Sequence, residues 1–373
     1  MPGTGWIRLC VPGLLMVVLS ACNPFSEARP MMDGYVERVA RVLETEPELS
    51  AIDSPSHIPR RRDRVLTMPE LELGMLDFLS LYGCELQFVV GEKNSVMGKV
   101  MQPLNRLRYE LRFIRAAQDC IPETEDEDLV EVLNEAIASK RETLPIAIWN
   151  ATWGVEEIET LFTLAKGYYP VQSEGNPVAD LARDSDRMNQ VVGALLTGNV
   201  EAYALGAKSP GAKSPGKGAL DESSLEFAGA VQQRWQAEYR AGQLINSAVL
   251  VTTRLNDATA LLQQRIEQRP LCLKGKPNNQ SEIVQSMFFS VYIEKIQPYM
   301  SDLRRARVEL IEPLAMMAER QRAVMPPEFA SWYRRHLSQV ADDSLWLELD
   351  AAMAHHTQSW QALLEQCGMR PGA

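Results

Sequence analysis

Histidines, cysteines, carboxylate pairs and activated hydroxyls are the groups from which an active site is assembled, and few of them fall at catalytic spacing in this chain. Of its four histidines, His57 lies in a proline-rich stretch, His336 follows Arg334-Arg335, and His355 and His356 are neighbours. Adjacent residues on a helix point about 100° apart, so that last pair cannot chelate one ion as an i, i+4 pair would. No HExxH, GxSxG or calcium-loop pattern occurs. Two strings only imitate known chemistry. Gly211 to Gly218 reads G-x-x-x-x-G-K-G, with Gly218 where Ser or Thr would hold Mg²⁺, and no apolar strand precedes it. Ser214-x-x-Lys217 encloses Pro215-Gly216, a pair that one helical turn does not tolerate. The sequence therefore calls for no cofactor, no metal and no catalytic residues, and the chain reads as a non-enzyme.

If a site exists, the residues to form it are polar groups set against apolar helix faces: Glu92, Asn94, Arg106, Arg108 and Glu110, with Tyr292, Glu294 and Tyr299. Glu92 or Glu110 would then act as the acid of an envelope glycan or peptide hydrolase. The plainer reading makes Asn94 or Ser95 a helix cap and Arg106–Glu110 a surface i, i+4 salt bridge worth a few tenths of a kcal/mol.

The elements that position these groups are helices. From Asp33, Val36, Val39, Ala40 and Leu43 share a face, and Pro47 ends the pattern. Residues 48–67 follow, with Pro55, Pro59 and the run Arg60-Arg61-Arg62-Asp63-Arg64, which reads as a solvated loop or as a contact with anionic headgroups. Pro69-Glu70 opens a helix carrying Leu73, Leu76, Leu79 and Leu86, and Gly91 to Ser95 breaks it. A second helix from about Val96 to Ala117 carries Leu104, Leu107, Leu111 and Ile114, so the two make an antiparallel hairpin that an internal Pro103 would kink. An acidic lead, Glu123 to Asp128, introduces a helix with Leu129, Leu133 and Ile137 on one face, and Trp149 to Trp153 joins it to a shorter one, the tryptophans reading as core. Leu244, Ala248, Val251, Leu255, Ala258 and Leu262 mark a coiled-coil-like seam within residues 221–268. That stretch would be about 70 Å long if unbroken, so a break near Gly242 or an elongated molecule is expected. Ser281 caps a helix kinked by Pro298 and Pro313, and the last helix runs from Ser344 to Gln366.

The N-terminus places the chain. Arg8 precedes an apolar run from Leu9 to Leu19, about half of the ~20 residues a membrane span needs, and Leu19-Ser20-Ala21-Cys22 follows. These four residues resemble, position by position, the lipobox of bacterial lipoproteins. The resemblance implies cleavage before Cys22, acylation of its sulfur and a firm hold on the membrane. Asn23 after the cysteine implies sorting to the outer membrane, facing the periplasm, with the periplasmic face of the inner membrane as the alternative. The whole chain carries a net charge of −11, which argues against nucleic acid as a partner.

With Cys10 cleaved off and Cys22 acylated, Cys84, Cys120, Cys272 and Cys367 remain. Four cysteines pair in three ways, and Cys84–Cys120 with Cys272–Cys367 keeps each bridge within one half of the chain. Each bridge would contribute about 4 to 5 kcal/mol by loop entropy. None lies in a CxxC or beside a ligand-spaced histidine, which disfavours zinc. The expected organisation is a signal peptide over 1–21, a tether over 22–30, a helical half over 31–205, a flexible Lys/Ser/Pro/Gly insertion over 206–220, and a second helical half over 221–373. The fold class is all-α, an elongated multi-helix bundle of long antiparallel helices with two disulfides.

Leu73-Gly74-Met75-Leu76-Asp77-Phe78-Leu79, Cys84-Glu85-Leu86, Glu92-Lys93-Asn94-Ser95, Gly98-Lys99-Val100-Met101 and Arg106 to Phe113 together resemble an uncharacterised proteobacterial lipoprotein family, domain of unknown function 3080. The likeness runs from the helix at Asp33 to the C-terminus. It implies a periplasm-facing lipoprotein, and it carries over no activity and no catalytic residues. The functional expectation is an interaction or scaffold module of the cell envelope with a protein partner, against a Glu-based hydrolase or a small-ligand-binding lipoprotein.

Overall fold

The computed structural model describes residues 27–70, 80–96, 98–171, 175–197 and 222–369. Residues 1–21, read as a signal peptide, Cys22, the first part of the expected tether, Leu73, Leu76 and Leu79, and the expected insertion over 206–220 lie outside the described residues. Among the described residues all regular structure is helical. In chain order the α-helices are α1 (Ala28–Leu43), α2 (Arg61–Arg64), α3 (Glu85–Asn94), α4 (Pro103–Cys120), α5 (Glu127–Thr152), α6 (Glu157–Leu161), α7 (Ala179–Leu196), α8 (Glu222–Ala237), α9 (Arg240–Gln268), α10 (Asn279–Met287), α11 (Gln297–Ala306), α12 (Glu312–Glu319), α13 (Pro327–His336) and α14 (Leu345–Glu365).

Several boundaries differ from the sequence reading, each for a local reason. Helix α1 starts at Ala28 and takes Pro30 into its first turn, where a missing N–H leaves nothing unsatisfied; Ala28 to Pro30 are helix, not tether. Helix α3 begins only at Glu85, after a turn in which Gly83 adopts φ 96°, and it runs through Gly91 to Asn94. Ser95 then closes it, its hydroxyl donating to the Glu92 carbonyl at 2.7 Å and accepting from the Gly98 N–H at 3.0 Å. Pro103 opens α4 instead of kinking it. Helix α5 continues through Trp149 to Thr152, so the tryptophans are no connector. Its N-cap is Asp126, which accepts from the N–H groups of Asp128 and Leu129.

The long C-terminal stretch breaks at Glu238-Tyr239, between α8 and α9. Gly242, in the first turn of α9, presses on the connection after α6: a Cβ there would lie 2.0 Å from the Thr163 carbonyl oxygen. Asn278 is the N-cap of α10, and Ser281 is its reciprocal partner in a capping box. Two π-helical segments, Phe288–Ile296 and Arg307–Ile311, precede Pro298 and Pro313. A proline ring lacks a donor and crowds the carbonyl four residues back, and a wider turn relieves both problems.

One continuous core gathers apolar residues from α1 to α14. Helix α1 packs on α9 and α10, so this first described helix is built into the body of the C-terminal half. Trp149 and Trp153 are fully buried around Phe329, with ring centroids 5.1 and 4.9 Å from it, and offer no face to a sugar. The Cys84–Cys120 disulfide staples the start of α3 to the end of α4, and Cys272–Cys367 ties the loop after α9 to the end of α14.

Candidate functional site

The hairpin residues nominated by the sequence are taken up by structure. Glu110 is completely buried in α4, with the Arg106 Nε 2.5 Å from one carboxylate oxygen and the Lys140 Nζ of α5 2.8 Å from the other. Lys140 also lies over the rings of Tyr109 and Phe113, at 5.3 and 5.2 Å. Burial lowers the Lys140 pKa, and the Glu110 charge works against that shift. Arg106–Glu110 is thus no surface pair; α5 closes over it. Glu92 is exposed and meets Arg112 at 2.9 Å. Asn94 is the exposed last residue of α3, and Arg108 donates to the Asn105 side chain and to the Leu225 carbonyl.

The second nominated group lies elsewhere. Helix α4 packs on α3, α5 and α8, whereas the π segment bearing Tyr292 packs on α1, α10 and α11. Tyr292 is buried against Tyr35, His356 and Trp360, and its hydroxyl meets Thr357 at 3.1 Å. Tyr299 donates to the Tyr169 carbonyl at 3.1 Å and lies 3.0 Å from the Ser247 hydroxyl, while Glu294 is exposed. Deep in this cluster His356 meets Tyr35 at Nε2 (2.6 Å) and Thr259 at Nδ1 (2.8 Å). Burial, seconded by His355, pushes its pKa down to about 3, so it serves as a neutral core bridge between α1, α9 and α14.

A cleft of about 280 Å³ lies where no candidate was placed. One wall is the segment Asp53 to Ser56 from the long strap that joins α1 to α2. The others are Thr252 and Thr253 of α9, Arg335 and His336 at the end of α13, and Glu348 of α14. The strap is fastened along its length. The Ser50 hydroxyl donates to Asp257 at 2.6 Å and Ile58 is buried, while just beyond α2 Asn150 takes both the N–H and the carbonyl of Leu66 at 2.8 Å. Arg64 is fully buried and donates to the Trp153 carbonyl and to Glu159, so the basic run is only partly solvated: Arg60 and Arg62 face out.

His336 is 2% exposed, and its geometry fixes its tautomer. Nδ1 lies 3.0 Å from the Trp332 carbonyl, which can only accept, so Nδ1 carries the hydrogen. Nε2 is then a free lone pair, 3.4 Å from the Ser56 hydroxyl. The Trp332 indole stacks on the imidazole (centroids 5.3 Å apart) and donates to the Ser56 carbonyl at 3.2 Å. Burial pulls the His336 pKa down to about 4; the Trp332 carbonyl opposes the shift and the Arg335 charge adds to it. Arg335 in turn grips both oxygens of Glu348. Thr252 carries a buried hydroxyl oxygen with no hydrogen-bond partner.

Sequence reasoning missed this cleft because Ser56 and His336 are separated by 280 positions and no motif has that spacing. The only local signal was Pro55 and Pro59, which hold the strap extended. Among the described residues no three His, Cys, Asp or Glu side chains are placed to hold a metal ion, and no helix is long and apolar enough to cross a membrane. No match was found among curated proteins or solved structures. Residues 32–203 and 212–371 match the family described as protein of unknown function (DUF3080), and the chain belongs to that family.

Proposed function

We propose that this protein is a lipid-anchored component of the bacterial cell envelope, facing the periplasm from the outer membrane and working there as an interaction module. The observation that carries the binding role is the outer surface of the stapled hairpin. Tyr82, Phe88, Val96 and Val100 are 89, 75, 84 and 70% exposed on α3 and the segments flanking it. Large apolar side chains held in water by a rigid element are what a protein contact would cover. The lipobox-like Leu19 to Cys22 supports the anchor, and two disulfides fit an oxidising compartment. A Glu-based hydrolase draws no support from Glu110, which solvent does not reach.

The test is a photo-crosslinking residue placed at Phe88 in living cells, with Glu135 on α5 as the control position. The reading expects one discrete envelope-protein adduct from position 88, none from 135, and at least a tenfold loss with Tyr82→Ser and Val96→Ser. It also expects Cys22 to carry acyl chains by mass spectrometry. Equal, diffuse adducts from both positions would remove the interaction role, and an unmodified Cys22 thiol would remove the anchor.

A further inference from the structure

We propose that Ser56 and His336 form a nucleophile–base pair that hydrolyses short-chain acyl esters of small polyhydroxyl compounds in the cleft beneath the strap. This goes beyond the binding role assigned to the hairpin and rests on a different part of the molecule. A serine nucleophile needs a base within hydrogen-bond reach and a third group that orients the base. The Ser56 Oγ to His336 Nε2 distance of 3.4 Å is long, as such contacts often are before substrate binds. The orienting group is the Trp332 carbonyl, 3.0 Å from Nδ1, assisted by the stacked indole. The backbone of Ser56 is held independently through its own carbonyl, so the hydroxyl is presented by a fixed strand of chain.

Size and lining choose the substrate. About 280 Å³ sits at the lower edge of small-molecule sites and leaves no room for a long acyl tail. Asp53, Ser54, Thr253 and the Arg335–Glu348 pair offer hydrogen bonds suited to an alcohol rich in hydroxyls.

The steps balance without a co-reactant other than water. Ser56 Oγ adds to the ester carbonyl carbon as its proton passes to His336 Nε2. The C–O bond to the alcohol breaks, and the alcohol leaves with that proton. Water, deprotonated by Nε2, then attacks the acyl-serine, releasing the carboxylic acid and restoring the serine hydroxyl. With its pKa drawn down to about 4, His336 is neutral at neutral pH but weakly basic, which makes this a slow hydrolase.

The mature full-length protein should be treated with a biotinylated fluorophosphonate and, separately, assayed with p-nitrophenyl acetate and p-nitrophenyl octanoate. The label is expected on Ser56 by peptide mass spectrometry, with acetate preferred to octanoate. Ser56→Ala, on the exposed strap, should abolish labelling and lower hydrolysis roughly 100-fold. An unlabelled wild type, or a Ser56→Ala variant that labels or hydrolyses as well as wild type, overturns the proposal. If Ser56→Ala lowers the melting temperature while the wild type takes no label, the contact is only a fastening of the strap.

Discussion

Around Glu110 two cations and one carboxylate are enclosed between α4 and α5, each answered by another charge or by an aromatic face. Beneath the strap, serine, threonine, histidine and an Arg–Glu pair also gather, but they border a cavity, and one hydroxyl there has no partner. The ingredients are alike and the uses opposite. Charges sealed from water are retained only when the fold answers them, and removing one partner leaves the others stranded. Polar groups at a cavity are answered by whatever enters it. The difference separates residues that hold the molecule together from residues that are free to act.

That contrast is sharpest at Glu110. Glu110→Ala should destabilise the protein by about 3–5 kcal/mol, read as a shift in the urea midpoint, because Lys140 would remain buried, and Arg106 half-buried, without their carboxylate. A loss below 1 kcal/mol would mean that water reaches this site and that the contrast is false. Next in size is the staple: replacing Cys84 and Cys120 by serine should cost about 4 kcal/mol, measured in the same way, since a cross-link between residues 36 apart is lost.

Acid should act on the cleft and on the tyrosine cluster through their histidines. His336 and His356 are neutral when folded, with pKa values of about 4 and 3, and protonate near 6.5 once unfolded. Their contribution is complete above pH 6.5 and is lost as pH falls toward 4, at about 1.4 kcal/mol per pH unit for each histidine. Urea titrations between pH 7 and 4.5 should show this slope, flattened in His336→Gln. The smallest effect belongs to Glu92→Ala, below about 1 kcal/mol, because both partners of the Glu92–Arg112 pair are about half exposed. The ratio between the Glu110 and Glu92 effects is the quantitative form of the contrast.

Much of the fold was legible because it is local. Leu104, Leu107, Leu111 and Ile114 recur at helical spacing and are buried in α4, and the seam from Leu244 to Leu262 is buried along α9. Of the three possible cysteine pairings, the structure has the one that keeps each bridge within one half of the chain. Pro103 was misplaced because a proline at the first turn and a proline in the interior look the same until the preceding loop fixes where the helix starts. The candidate residues fared worse. An Arg and a Glu four apart read identically on a surface and in a core, and Lys140, thirty positions on, settles which it is.

By itself, then, the sequence determined what neighbouring residues decide among themselves, the helix faces and the family, and it narrowed the disulfides to three pairings. Burial and juxtaposition were decided only by the tertiary structure. Whether Glu110 and Arg64 are solvated depends on the helix laid over them, and Ser56 meets His336 because a strap anchored at Ser50 and Ile58 crosses the end of α13. The physical reason is that solvent exclusion and hydrogen-bond reach are properties of distances in space, and a periodic pattern along one helix carries no record of what packs on its other side.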